Sequence, residues 1–229
     1  MQDFDESRPI SAVILFGAPG SGKGTQARLL REHCIDGPHI STGDMLRRHI
    51  ENKDEIGLQI RSLMKAGKLV SDELVNQLVY VRIQEPDCQN GFILDGYPRT
   101  VSQADWLAGR LARERVRPMV VHLEVDYNVI IARIAGRRQC PVCGTLYNLA
   151  QDPTRVACDL EGAKLEIRDD DREDVVRERL RAYDRQTAPV LAFFRDEGYS
   201  CRDFVGTAPP EVIGQQILDW IDKERRRAA

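Results

Sequence analysis

No stretch of the 229-residue chain approaches the roughly 18 consecutive apolar residues of a membrane-spanning helix, so no membrane attachment of that kind is expected. Repeats and low-complexity tracts are missing as well, which argues against a solenoid or a flexible linker chain. There is no surplus of positive charge. The 33 basic and 36 acidic residues leave a net charge of −3, whereas dedicated nucleic-acid binders are usually strongly basic. The start, MQDFDESRPI, is acidic and lacks the apolar core of a secretion signal, so a cytoplasmic location is expected. In that compartment the six cysteines stay reduced, and clustered ones bind metal more readily than they pair. Cys34, Cys88 and Cys201 stand alone and are expected to pack as small hydrophobes. Lysine is scarce too, with 6 against 27 arginines, and the places where those arginines fall are informative.

What is present is a globular balance, 42% hydrophobic and 30% charged, in a chain long enough for one large core with small inserts. AVILFG (12–17) reads as a strand buried on both faces. GFILDG (91–96), MVVHLEV (119–125) and SCRDFVG (200–206) are the other good strands, and a weaker one is expected near His39 and Ile40. Helical periodicity runs from Lys23 to about Cys34. Further helices are expected to open at Ser71, whose next residues Asp72 and Glu73 suit a helix amino terminus, after Ser102, after Asp126 and around Pro210. The long segment 173–198 reads as one helix kinked or broken at Pro189. Strands alternating with helices predict an α/β fold with a parallel sheet covered on both faces. Two stretches interrupt the alternation: a helical one at 41–70 and a cysteine-bearing one at 137–171.

GAPGSGKGT (17–25) follows the first strand and opens the first helix, the context in which such a run forms a phosphate-binding loop. Its glycines allow successive N–H groups to face one concavity, the helix start adds partial positive charge, and Lys23 adds a full one. Where a hydroxyl residue is usual after the lysine, this chain has Gly24, with Thr25 one step later. Asp95, at the carboxyl end of FILD, is therefore the better candidate to hold Mg²⁺ through its water shell, with capping of the next turn as its alternative role. Arg99, Arg137, Arg168 and Arg179 are each explicable as helix-surface charges. Together with a phosphate loop they suggest a site that neutralises several phosphates, because guanidinium binds phosphate bidentately.

The cysteine segment reads Cys140-x2-Cys143-x14-Cys158-x2-Glu161, one residue short of the usual zinc-ribbon spacing. A nucleic-acid-binding module and a structural metal staple both fit this spacing. Glu161 stands at the fourth ligand position, and Asp159 is the alternative carboxylate.

GAPGSGKGTQA, ISTGDMLR (40–47), AGKLVSDELV (66–75), GFILDGYPRT (91–100) and AGRR (135–138) resemble, in order and at matching intervals, the motifs of the adenylate kinase family, from about Ala12 to the carboxyl end. That resemblance implies a five-stranded parallel phosphate-loop core flanked by helices (1–40, 71–136 and 172–229). It also implies a helical insert for the nucleoside monophosphate (41–70) and a lid (137–171) of the long bacterial type. It implies reversible phosphoryl transfer from Mg-ATP to AMP, giving two ADP, by a monomer. Gly20, Ser21, Gly22, Lys23, Gly24, Thr25, Arg133, Arg137, Leu146, Tyr147 and Ala208 then match the ATP site. Thr42, Arg47, Lys68, Leu69, Val70, Gly96, Tyr97, Pro98, Arg99, Gln103, Arg168 and Arg179 match the AMP site, where the Gln103 amide is expected to meet the purine edge. Lys23, Asp95, Arg99, Arg137, Arg168 and Arg179 carry the chemistry, and Asp170 and Asp171 latch the lid. Some members hold the lid with a structural zinc, for which Cys140, Cys143, Cys158 and Glu161 are the candidates. A kinase for another base and a phosphate-loop zinc-ribbon nucleic-acid binder remain as alternatives. The acidic net charge disfavours the latter.

Overall fold

A strand apolar at every position after its first residue belongs in the middle of a sheet, and Ser11–Phe16 (β1) takes that place. The structure, a computed structural model, describes residues 11–33, 35–150 and 152–228; the acidic start and Cys34 lie outside the described residues. With His39–Ser41 (β2), Gly91–Asp95 (β3), Met119–Glu124 (β4) and Cys201–Val205 (β7), β1 forms a parallel five-stranded sheet in the order β2-β3-β1-β4-β7. Alternation divides its side chains between two layers. Val13, Leu15, Ile93, Val121 and Leu123 pack with residues of Lys23–His33 (α1) and Pro210–Ala228 (α9), Leu30 and Trp220 among them. Ala12, Ile14, Phe92, Leu94 and Val120 pack on the other face. There they meet Asp72–Ile83 (α4), Val101–Arg113 (α5) and Ala188–Asp196 (α8).

Between β2 and α4 lie Thr42–Asn52 (α2) and Glu55–Lys65 (α3), as the sequence predicts. Short polar side chains start these helices. Ser41 accepts from the Asp44 N–H, Asp54 from Gly57 and Ser71 from Leu74. Tyr127–Ala135 (α6) is capped by Asp126. It leads into an antiparallel ribbon of Arg137–Gln139 (β5) and Leu146–Asn148 (β6). The small core of that segment is Cys140, Cys158 and Leu165, with Tyr147 and Ala163 beside them, too few side chains to hold a unit of this size alone.

Two expectations are corrected. The helix placed after Ser102 begins at Val101, because the Thr100 hydroxyl accepts the Gln103 N–H and caps it. The helix expected to break at Pro189 ends earlier. Glu173–Ala182 (α7) and α8 are separated by a π turn at Tyr183–Thr187. Proline removes its own N–H and crowds the carbonyl four residues back, here Arg185, so the disturbance falls upstream of the ring. Buried Cys88 and half-buried Cys201 fit the packing role expected of them. Burial pushes both thiols up to about 11.

Candidate active site

At the carboxyl ends of the parallel strands lies an open cleft of about 1280 Å³, larger than the roughly 300–1,000 Å³ usual for one small-molecule site. Its floor is the loop between β1 and α1. Gly17 has φ +142°, and a Cβ there would stand 2.7 Å from the Leu123 carbonyl oxygen; Gly20 has φ +84° and would meet Ile134 at 2.8 Å. Glycine is therefore required at both points. Lys23 Nζ donates to the Gly17 and Ala18 carbonyls at 2.8 and 2.9 Å. Burial lowers its pKa to about 8; Asp95 opposes that shift, while Arg99, Arg179 and Arg137 reinforce it.

Asp95 closes β3 beside this loop. Burial works against its charge, but His39, which reaches its carboxylate at 3.2 Å, and Lys23 hold its pKa below the ordinary value. Gly24 faces Asp95: a Cβ there would sit 3.7 Å from Oδ2. An ionised carboxylate with free space before it fits a hydrated divalent cation.

Two carboxylates collect the arginines. Asp170 accepts from Arg168 at 3.1 Å and Arg179 at 2.9 Å and lies 3.6 Å from Arg47. Burial opposes its ionisation, yet Arg179, Arg168 and Arg47 hold its carboxyl well below the usual range. Asp171, with a fully buried side chain, pairs with Arg137 and lies 3.5 Å from Arg179. Burial lowers the Arg179 pKa to about 10. Breaking one such buried pair leaves a charge uncompensated, which typically costs about 3–5 kcal/mol.

The opposite wall is the turn after β3. Thr42 Oγ1 donates to the Gly96 carbonyl at 2.8 Å, and Arg99 Nε donates to the same oxygen at 2.7 Å. Tyr97 precedes Pro98 through a cis peptide and bonds Asn76 at 2.6 Å. The cleft surface includes Gly20 to Thr25, Arg47, Leu69, Gly96 to Arg99, Arg133, Leu146, Tyr147 and Ala208. It also includes Asp95, Arg137, Arg168 and Arg179. Thr42, Lys68, Val70 and Gln103 are outside that lining. The Gln103 amide accepts the Arg99 N–H at 2.7 Å and donates to Asp72 at 2.8 Å.

The adenylate kinase family model matches residues 15–199. The chain is 40% identical over 218 residues to the adenylate kinase of Finegoldia magna, covering 92% of this chain and 99% of that one. It is 45% identical over 209 residues to that of Syntrophotalea carbinolica (90% and 96%) and 42% over 218 to that of Thermotoga maritima (92% and 98%). The chain belongs to the adenylate kinase family. It is a nucleoside monophosphate kinase, and phosphoryl transfer between ATP and AMP is its activity.

Adenylate kinase chemistry does not account for the cysteines. Among the described residues, the sulfurs of Cys140, Cys143 and Cys158 lie within 4.8 Å of one another, with Cys143 and Cys158 at 3.6 Å. Two turns of one design carry them. In the first, the Cys140 N–H bonds Thr145, the Gly144 N–H bonds Cys140, and Gly144 has φ +73°. In the second, Cys158 bonds Ala163, Gly162 bonds Cys158, and Gly162 has φ +66°. Glu161 stands where Cys143 stands in the first turn, although its exposed side chain is not part of the sulfur cluster. Asp159 is held by Arg155. The Tyr147 hydroxyl donates to Cys158 at 3.2 Å and lowers that thiol to about 7.

The contacts of His39 with Asp95, of Asp72 with Thr100 and Gln103, of Thr187 with Arg99, and of the Gly206 carbonyl, which accepts from Arg133 at 2.8 Å, were not read from the sequence. Each joins partners distant in sequence. Sequence marked His39 only as part of a weak strand and Asp72 only as an acid suited to a helix start.

Proposed function

We propose that the family reaction is divided in this chain as follows. Gly20 to Thr25 hold the ATP phosphates, with Arg133, Leu146, Tyr147 and Ala208 around the base and ribose. Thr42, Arg47, Lys68, Leu69, Val70, the turn Gly96 to Arg99, Gln103, Arg168 and Arg179 hold AMP, and Thr42 also bonds the Gly96 carbonyl of that turn. Lys23, Arg99, Arg137, Arg168 and Arg179 neutralise the phosphoryl group in flight. Asp95 is the residue that would hold Mg²⁺, which when bound would add charge neutralisation to the ATP phosphates. No general base is required, since phosphoryl transfer rests on in-line positioning and electrostatics. The observation that carries this reading is the convergence of these five cations on one cleft, where Asp170 and Asp171 pair with Arg137, Arg168 and Arg179.

The segments 41–70 and 137–171 act as the monophosphate-binding insert and the lid. The lid carries a structural zinc on Cys140, Cys143, Cys158 and Glu161. The 3.6 Å sulfur separation supports this, because tetrahedral Zn–S bonds of about 2.3 Å place ligands about 3.8 Å apart. The matching turns favour Glu161 over Asp159. The proposed site needs no residue from a second copy, so the reading is of a monomer, and the net charge of −3 gives no support to nucleic-acid binding. A cytoplasmic enzyme accords with its free thiols.

Lys23→Ala and Arg99→Ala are each expected to lower turnover by a factor on the order of 10³ with the fold intact. A coupled assay with ATP and AMP, beside circular dichroism, reads both. Wild-type turnover in folded Lys23→Ala would overturn the assignment.

A further inference from the structure

Asp72 is the first residue of α4, where an acid is accounted for by the helix dipole alone. Its hydrogen bonds do more than that. Oδ2 accepts from the Thr100 hydroxyl at 2.7 Å and Oδ1 from Gln103 Nε2 at 2.8 Å. An ionised carboxylate only accepts, so both partners are forced into one orientation. The Thr100 hydroxyl points its proton at Asp72 and keeps a lone pair for the Gln103 N–H at 3.1 Å. The Gln103 amide turns its nitrogen to Asp72 and its oxygen to the Arg99 N–H at 2.7 Å. From the other side the Thr187 hydroxyl donates to the Arg99 carbonyl at 2.9 Å. Both backbone groups of Arg99 are therefore fixed, and its guanidinium is anchored on the Gly96 carbonyl at the cleft surface.

We propose that Asp72 is a positioning residue for phosphoryl transfer: through Gln103 it fixes the backbone from which Arg99 reaches the phosphates. This rests on the assignment of Arg99 to the phosphates. Asp72 also opens the helix that follows the 41–70 insert, two residues after Val70, so the same carboxylate joins the base of that insert to the Arg99 turn. Without an acceptor at this position the amide loses its orienting partner, and its nitrogen is free to rotate toward the Arg99 N–H, donor against donor.

The test separates this from a helix-dipole role. Asn at position 72 loses the charge but keeps an oxygen for Gln103 Nε2, and its own amide group donates to Thr100. Asp72→Ala is expected to lower kcat on the order of 10- to 100-fold, the cost of a small misplacement in a transfer site. Asp72→Asn is expected to stay within about threefold of wild type. In an Arg99→Ala background, Asp72→Ala is expected to remove less than about threefold more, because the two act as one unit. If Asp72→Ala does not fold, Asp72→Ser, which keeps a hydroxyl at the helix start but is too short to reach Gln103 Nε2, carries the test with the same expected loss and the same lack of additivity. Equal losses in Asp72→Ala and Asp72→Asn, full additivity with Arg99→Ala, or unchanged kcat in a folded alanine variant would each overturn the proposal. A normal Arg99→Ala enzyme would instead overturn the phosphate assignment beneath it.

Discussion

Lys23 sits in a conflict that the fold maintains. Burial and three nearby arginines push its pKa down to about 8, and Asp95 only partly compensates. Its folded pKa lies below the ordinary lysine value, so the lysine is a net cost to the folded state at low pH, and that cost lessens as pH rises above about 8. Substrate phosphates reverse the conflict, since anions beside the amine favour its charged form. ATP binding should therefore take up protons where free Lys23 is partly neutral. At pH 8 the expected uptake is about half a proton per ATP, falling toward zero from this group by about pH 6.5. Calorimetric titration in buffers of different ionisation enthalpy measures it directly. In Lys23→Arg, which stays charged throughout, the uptake should disappear. Absence of uptake at pH 8 in the wild-type protein would mean that the phosphates do not change the charge state of Lys23. Gln103 teaches a related lesson at this scale. Sequence identifies the amide, but its bond to Asp72, 31 residues away, is seen only in the fold.

The pair of turns around Cys140 and Cys158 is an element without a core of its own, and a metal is the cross-link such an element needs. Cys143→Ser is expected to release zinc and lower the melting temperature, while activity measured below the new transition falls only modestly. Glu161→Ala should weaken zinc retention, and Asp159→Ala should leave it intact. Metal analysis alongside thermal melts checks all three. A metal-free native protein with undiminished thermal stability would defeat the staple. Loss of metal from Asp159→Ala with retention in Glu161→Ala would reassign the fourth ligand. The elements that sequence made legible are those written locally. The five strands, the phosphate loop and the caps at Ser71 and Asp126 follow from hydrophobic period, glycine and short polar residues in adjacent positions. The π turn at Tyr183–Thr187 did not announce itself. Pro189 marked a disturbance but not its form, and the contacts this segment makes, Thr187 with Arg99 88 residues away and Tyr183 5.9 Å from Phe16, are seen only in the fold. His39 on Asp95 was hidden for the same reason, a pairing made only when β2 joins the sheet edge.

At the scale of the whole molecule, the two inserts already touch through charge. Arg47 on α2 faces Asp170 at 3.6 Å, and Lys65 on α3 faces Asp169 at 3.6 Å. The acids lie where the cysteine-bearing segment returns to α7, so one short turn contacts the helical insert, the cysteine-bearing segment and the core. On the proposed assignment, substrate phosphates would compete with these carboxylates for Arg47, Arg168 and Arg179. A ligand spanning both proposed nucleotide sites would then interact with more of these arginines if the inserts close, and is expected to shift the population toward closure. Diadenosine pentaphosphate is expected to inhibit strongly and to shorten the distance between labels at Lys53 and Leu160, both exposed. Single-molecule energy transfer or paired spin labels read that distance. If the proposed zinc only stiffens the cysteine-bearing segment, closure should survive Cys143→Ser with a broader distribution. It should weaken in Arg179→Ala, where the phosphates lose a partner shared by Asp170 and Asp171. A label distance unchanged at saturating inhibitor would mean that the inserts are fixed and that the cleft accepts both nucleotides without closing.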